Sequence, residues 1–204
     1  ALAHKVSLSD VLNMVSAFRS RDQQTPVVLM GYLNPVEMMG YETFARRASE
    51  AGVDGVLTVD MPPEEAGDLI AALGARNIDP IFLISPESTV SRFKIIAEKS
   101  QGFIYYVSLK GVTGVKVIDT DAVAAKVTEL KSFTALPIGV GFGIKDAESA
   151  AAVASVADGV VVGSAIVKRV AANVKDPEKT IAEITSFLAG LRQAMDESGK
   201  NNRA

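Results

Sequence analysis

Cysteine is absent from this 204-residue chain, and histidine occurs once, as His4. Without cysteine there is no disulfide, no thiolate nucleophile and no cysteine-built zinc site. A lone histidine beside the terminus leaves Ser-His-Asp triads and histidine metal clusters without their parts, and such a residue is ordinarily solvated. No apolar run reaches the roughly 18 residues needed to span a membrane. The opening ALAHKVSLSD also lacks the charged, apolar and small-residue order of a signal peptide. There is no excess of base either: the net charge of −3 gives no footprint for nucleic acid or an anionic membrane. These absences lead us to expect a cytoplasmic protein without a metal and with neither nucleic acid nor membrane as partner.

What the chain does contain is a regular alternation. Six β-rich runs, at 25–32, 52–60, 79–85, 102–108, 136–143 and 157–164, are separated by helix-like segments such as 36–51 and 121–133. The runs are apolar on both faces, as in parallel strands covered by helices or closed into a barrel. In the 121–133 segment, Val123, Val127, Leu130 and Phe133 share a face at close to helical period. With 48% hydrophobic and 22% charged residues, this is an ordinary globular composition. We expect one α/β domain over 1–204, with 197–204 a frayed tail.

A doubly wound sheet and a (β/α)8 barrel both fit that alternation. The glycines Gly139, Gly141 and Gly143 make only a late G-x-G-x-G, a weak nucleotide signal. A barrel often binds phosphate in the loops after its last two strands and at the start of a short extra helix. Here one strand closes on Gly141-Phe142-Gly143. The next closes on Gly163-Ser164, which opens AIVKRVAANV before a fresh helix start at Asp176-Pro177-Glu178. Glycine admits an anion close to backbone N–H groups, and a helix N-terminus adds donors and the positive dipole end. The competing reading is that these glycines only permit tight turns.

Other strand ends offer candidates. The stretch from Ser108 to about Asp119 is long and carries Gly111 and Gly114, as a closing lid would. Either Tyr105 or Tyr106 could present its hydroxyl to a substrate, and strand parity does not choose between them. Asp60 precedes Pro62-Pro63 and reads locally as the N-cap of the next helix, with Glu64 and Glu65 complementing its dipole. Tyr32 and Asn34 stand at another strand end, with Pro35 starting a helix. Met30, Leu57, Ile84 and Phe142 would make the pocket partly apolar, suited to a bulky organic phosphate.

The stretches LMGYLNP, GVDGVLTVDMPPEE, YYVSLKGVTG, GVGFGI and ADGVVVGSAIVK together resemble the tryptophan synthase alpha subunit family, in its order and spacing and over essentially the whole chain. The resemblance implies a (β/α)8 barrel. It also implies a lyase of tryptophan biosynthesis that cleaves indole-3-glycerol phosphate to indole and glyceraldehyde 3-phosphate by retro-aldol acid–base chemistry. It implies a pyridoxal-phosphate beta subunit as partner in an α2β2 heterotetramer, and no cofactor in this subunit. Gly114, Gly143, Gly163 and Ser164 would hold the phosphate. Tyr32, Asp60, Tyr105 and Phe142 would line the pocket, and Asn34 would lie near the partner interface. Lys110, Gly111, Val112, Thr113 and Gly114 would form the lid, which at Leu109-Lys110 differs from an arginine-containing form.

In that family the catalytic glutamate and aspartate lie in the second βα unit, upstream of all these residues. The six runs would be its third to eighth strands, and a full barrel takes roughly 250 residues. The expectation is that residues 1–204 alone are inactive and expose two open sheet edges that favour self-association. Glu64 and Glu65 follow a different strand and do not replace the missing pair. The alternatives are another phosphate-binding barrel enzyme, or a non-catalytic fragment that binds a phosphate ligand or the beta subunit.

Overall fold

The computed structural model describes residues 5–108, 119–141 and 143–201. His4, the lid residues Lys110, Gly111, Val112, Thr113 and Gly114, and Phe142 lie outside these. The strands are β1 (Val28–Gly31), β2 (Gly55–Thr58), β3 (Asp79–Ile81), β4 (Leu83–Ile84), β5 (Ile104–Val107), β6 (Ile138–Gly141) and β7 (Gly159–Val161). They form two sheets, in the orders β1-β2-β3 and β4-β5-β6-β7. The β1–β2, β2–β3 and β6–β7 pairs are parallel. The chain is therefore α/β, as its alternation requires. The run at 79–85 differs from expectation: it breaks at Phe82, so its first half pairs with β2 and its second half begins the other sheet.

The helices are α1 (Leu8–Arg19), α2 (Leu33–Met39), α3 (Tyr41–Ala51), α4 (Gly67–Gly74), α5 (Val90–Lys99), α6 (Thr120–Lys131), α7 (Ala147–Ala154), α8 (Ser164–Ala172) and α9 (Pro177–Asn201). The segment expected as one helix over 36–51 is two. Gly40 stands between α2 and α3 at φ 81 and ψ 135, a conformation that interrupts helical hydrogen bonding and favours glycine. Helix α2 also begins two residues before Pro35, which is tolerated because a first-turn N–H has no helical partner.

The chain divides into two compact units: one of Ala1–Leu83 with Lys94–Ile104, the other of Ile84–Phe93 with Tyr105–Ala204. In the first, β2 is buried along its whole length while three of the four β1 residues are exposed. Ala45 and Ala48 are fully buried on α3, and their small side chains let it pack closely against α1 and α4. A capping box of Ser7 and Asp10 starts α1. At its other end Arg19 donates to the carbonyls of Gly52 (2.7 Å) and Thr25 (2.8 Å) and to the Asp54 carboxylate (2.5 Å). Asp54 in turn accepts the Val27 N–H at 2.6 Å, which fixes the starts of β1 and β2 together.

The second unit repeats the device. Asp158, just before β7, accepts the Ile138 N–H at 2.9 Å and pairs with Lys131, the last residue of α6, at 2.8 Å. Burial pushes the Asp158 carboxyl up, but the bonds from Lys131 and Ile138 and the Lys131 charge outweigh it and leave the group below its ordinary value. Strand β6 is buried throughout. Val123, Val127 and Leu130 form the buried face of α6, and Phe133 meets Phe93 with ring centroids 6.2 Å apart. Helix α9 packs against α7 and α8. It carries helical backbone through Asn201, which takes in the first five residues of the segment expected to fray.

Candidate functional site

The second unit brings together the ends of β5, β6 and β7 and the start of α8. β6 and β7 end side by side, with Gly141 opposite Val161. Gly143 then turns at φ 81, a left-handed conformation that suits glycine. Gly163 is the N-cap of α8, and Ser164 is the first residue of that helix; both are exposed, and no side chain caps the helix. The positive end of the α8 dipole thus lies at an exposed start, where the Ile166 N–H already bonds the Gly163 carbonyl at 2.9 Å. A Cβ on Gly163 would meet nothing within 4 Å, and its φ of −115 is open to other residues. Packing among the described residues does not require a glycine there, although an N-cap favours glycine over alanine; at Gly143 the left-handed backbone itself favours it.

Tyr105 and Tyr106 are both buried, at 9% and 4% exposure. Neighbouring strand residues point to opposite faces. Tyr106 lies within electrostatic range of Glu87 and Glu129, the latter on α6. Burial first, and then these two carboxylates, raise its phenol. Tyr105 takes the other face, where its ring covers Gly141. A Cβ on Gly141 would fall on the Tyr105 hydroxyl and lie 2.6 Å from Cε2 and 2.8 Å from Cζ. Burial raises the Tyr105 phenol as well. The absent side chain at Gly141 thus leaves room for the Tyr105 ring on that face.

In the first unit, Asp60 does not cap the next helix along the chain. That helix, α4, starts at Gly67 with Ala66 as its N-cap, and Asp68 supplies the acid of its first turn. The Asp60 carboxylate instead accepts the Leu33 N–H at 2.7 Å, at the start of α2. Tyr32, the N-cap of α2, makes no capping bond with its own side chain and is 67% exposed; Asn34 is exposed in the first turn. Of the apolar rim candidates, Met30 is exposed, whereas Leu57, its partner across β1 and β2, and Ile84 are buried.

Sequence reasoning missed Ser108, which sits directly after β5 and bonds the end of β6. It also missed both strand-start carboxylates, although the shared Asp-Gly-Val at 54–56 and 158–160 is a signal that could have found them. Among the described residues no group of acidic, histidine or cysteine side chains could hold a metal, and no helix is long and apolar enough to cross a membrane.

Parallel strands alternating with helices, two of whose neighbouring ends lead to a left-handed glycine and to an exposed helix start, define an α/β protein. The family model for the tryptophan synthase alpha chain matches residues 1–196, and the chain belongs to that family. It is 57% identical over 196 residues to the tryptophan synthase alpha chain of Thioalkalivibrio sulfidiphilus, covering 96% of this chain and 74% of that one. It is 55% identical to the alpha chain of Marinobacter nauticus, over 96% of this chain and 73% of the relative. Among solved structures, the alpha chain of Legionella pneumophila superposes with a TM-score of 0.86 at 42% identity, over 96% of this chain and 72% of that one. The tryptophan synthase α2β2 complex of Pyrococcus furiosus gives a TM-score of 0.84 at 30% identity, over 95% of this chain and 77% of the other.

Proposed function

We propose that this chain serves tryptophan biosynthesis as the lyase that cleaves indole-3-glycerol phosphate to indole and glyceraldehyde 3-phosphate, in partnership with a beta subunit. Family membership supports the reaction. The observation that carries the binding role is Gly163: a glycine that the chain's own packing does not need, at the start of an uncapped helix, suits close approach by a ligand. In this reading Gly143, Gly163 and Ser164 hold the phosphate through backbone N–H groups and the Ser164 hydroxyl. Tyr105, Tyr32 and Asp60 border the rest of the substrate, and Asn34 lies at the partner interface. Phosphate contacts made away from the breaking bond orient the substrate and supply positioning energy.

The fold in this reading is a (β/α)8 barrel, with the described strands its third to eighth when β3 and β4 are counted as one, and residues 1–204 part of one domain. The acid that protonates indole C3 and the base that takes the substrate hydroxyl proton are placed outside residues 1–204. A polypeptide of these residues alone then binds phosphate and releases no indole. Indole release by it would overturn that placement and leave the binding role standing.

The test is Gly163→Ala, with inorganic phosphate and indole-3-glycerol phosphate as ligands in calorimetry. The added methyl meets open space, and alanine in place of an N-cap glycine should lower the melting temperature only modestly. Affinity for both ligands should weaken by about tenfold, roughly 1.4 kcal/mol. Unchanged affinity would remove Gly163 from the site.

A further inference from the structure

Ser108 makes two donations to one acceptor. Its backbone N–H and its hydroxyl both reach the carbonyl oxygen of Gly141, each at 3.0 Å. The backbone bond only extends the ladder by one residue, and the first unit has a counterpart in which the Val59 N–H reaches the Gly31 carbonyl at 2.9 Å. Val59 has no hydroxyl, so the second bond is particular to the junction of β5 and β6. It is half-buried, where competition from water is weaker than at an open surface.

Gly141 ends β6 two residues before the left-handed turn at Gly143. A carbonyl oxygen offers two lone pairs, and Ser108 occupies both. With the hydroxyl removed, the backbone bond alone would hold this carbonyl, leaving one lone pair free to repel an incoming anion. Donors that must face the anion work best when they are fixed before it arrives.

We propose that Ser108 is a positioning residue for phosphate: its hydroxyl holds the Gly141 carbonyl toward β5 and so sets the departure of the Gly143 turn. This rests on the reading of Gly143, Gly163 and Ser164 as the phosphate site. Ser108 itself touches no ligand. Removing its hydroxyl therefore weakens phosphate binding through Gly141, with the donors themselves unaltered.

Two variants isolate the hydroxyl: Ser108→Thr keeps it, and Ser108→Val has the same shape without it. Inorganic phosphate is titrated into the parent and both variants by calorimetry, and the melting temperature of each is recorded. Valine should bind phosphate about three- to tenfold more weakly than threonine, the yield of one lost hydrogen bond, and threonine should bind as the parent does. A purely structural role would lower the melting temperature of the valine variant and leave its affinity unchanged, and that result overturns the proposal. Should valine not fold, Ser108→Ala gives the same comparison. A parent that binds phosphate, sensitively to Gly163→Ala but with no difference between valine and threonine at 108, overturns this proposal alone. A parent that binds no phosphate overturns the site reading and this proposal together.

Discussion

The Asp60 carboxylate, just beyond the end of β2, accepts the backbone N–H of Leu33 at the start of α2, 2.7 Å away. Helix α2 is therefore capped by a side chain from a different βα unit, 27 residues along the chain, while its own N-cap residue Tyr32 leaves its side chain to solvent. Asp60→Ala should cost about 1 kcal/mol of stability, the usual worth of an N-terminal cap. Asp60→Asn keeps an acceptor and should lose less. Urea titrations of the three proteins check this, and an alanine variant as stable as the parent would mean that the bond contributes nothing.

Gly141 lies under the Tyr105 ring, with no room for a methyl group. Gly141→Ala should destabilise by about 1–3 kcal/mol, the range for overpacking a filled core. Tyr105→Phe removes the atom nearest the new methyl, so the double variant should recover part of that loss. A double-mutant cycle with additive effects would show that ring and glycine are independent.

Asp158 has a lowered carboxyl in the folded chain. A carboxyl depressed by folding stabilises above its unfolded value, near about 3.9, and the contribution is lost as pH falls through the lower folded value. Asp158→Asn should therefore be less stable than the parent at neutral pH, with the gap closing as the parent is acidified below about 4. The effect should be modest, because the pair with Lys131 is half-exposed. Melting curves between neutral pH and pH 3 decide it, and a gap that widens in acid would reverse the sign argued here.

β1 is an end strand of its sheet, and it exposes Val28 and Met30. Terminal strands with exposed apolar side chains invite pairing with another chain. A polypeptide of residues 1–204 should self-associate as its concentration rises in sedimentation measurements, and Met30→Lys should shift it toward monomer. A concentration-independent monomer would argue against open edges.

Much of this architecture is legible in the sequence because it rests on local or periodic signals. The unbroken apolar runs mark the strands, and the 3.6-residue spacing of Val123, Val127 and Leu130 marks the inner face of α6. Asp176, whose carboxylate takes the Lys179 N–H at 3.0 Å, marks the start of α9. The illegible features depend on partners far along the chain. Asp60 before two prolines looks like a cap for the next helix, and only the pairing of β1 with β2 reveals Leu33 as its donor. Tyr105 and Tyr106 are identical to a pattern reader, and that the Tyr105 ring packs on Gly141 depends on the next strand. The split of 79–85 into β3 and β4 depends on which neighbour each half meets, which apolar composition does not encode.

The carboxylates of Asp54 and Asp158 fasten strands where they begin, whereas Gly143, Gly163 and Ser164 stand beyond strand ends. The fastening residues and those proposed to face the ligand are thus separated by the length of a strand, and among the described residues no hydrogen bond joins the two sets. On the proposed function, a lineage carrying this chain can change what that rim accepts without first finding a compensating change in what keeps the sheets in register. A designer can do the same, randomising the residues after β6 and β7 while holding Arg19, Asp54, Lys131 and Asp158 constant.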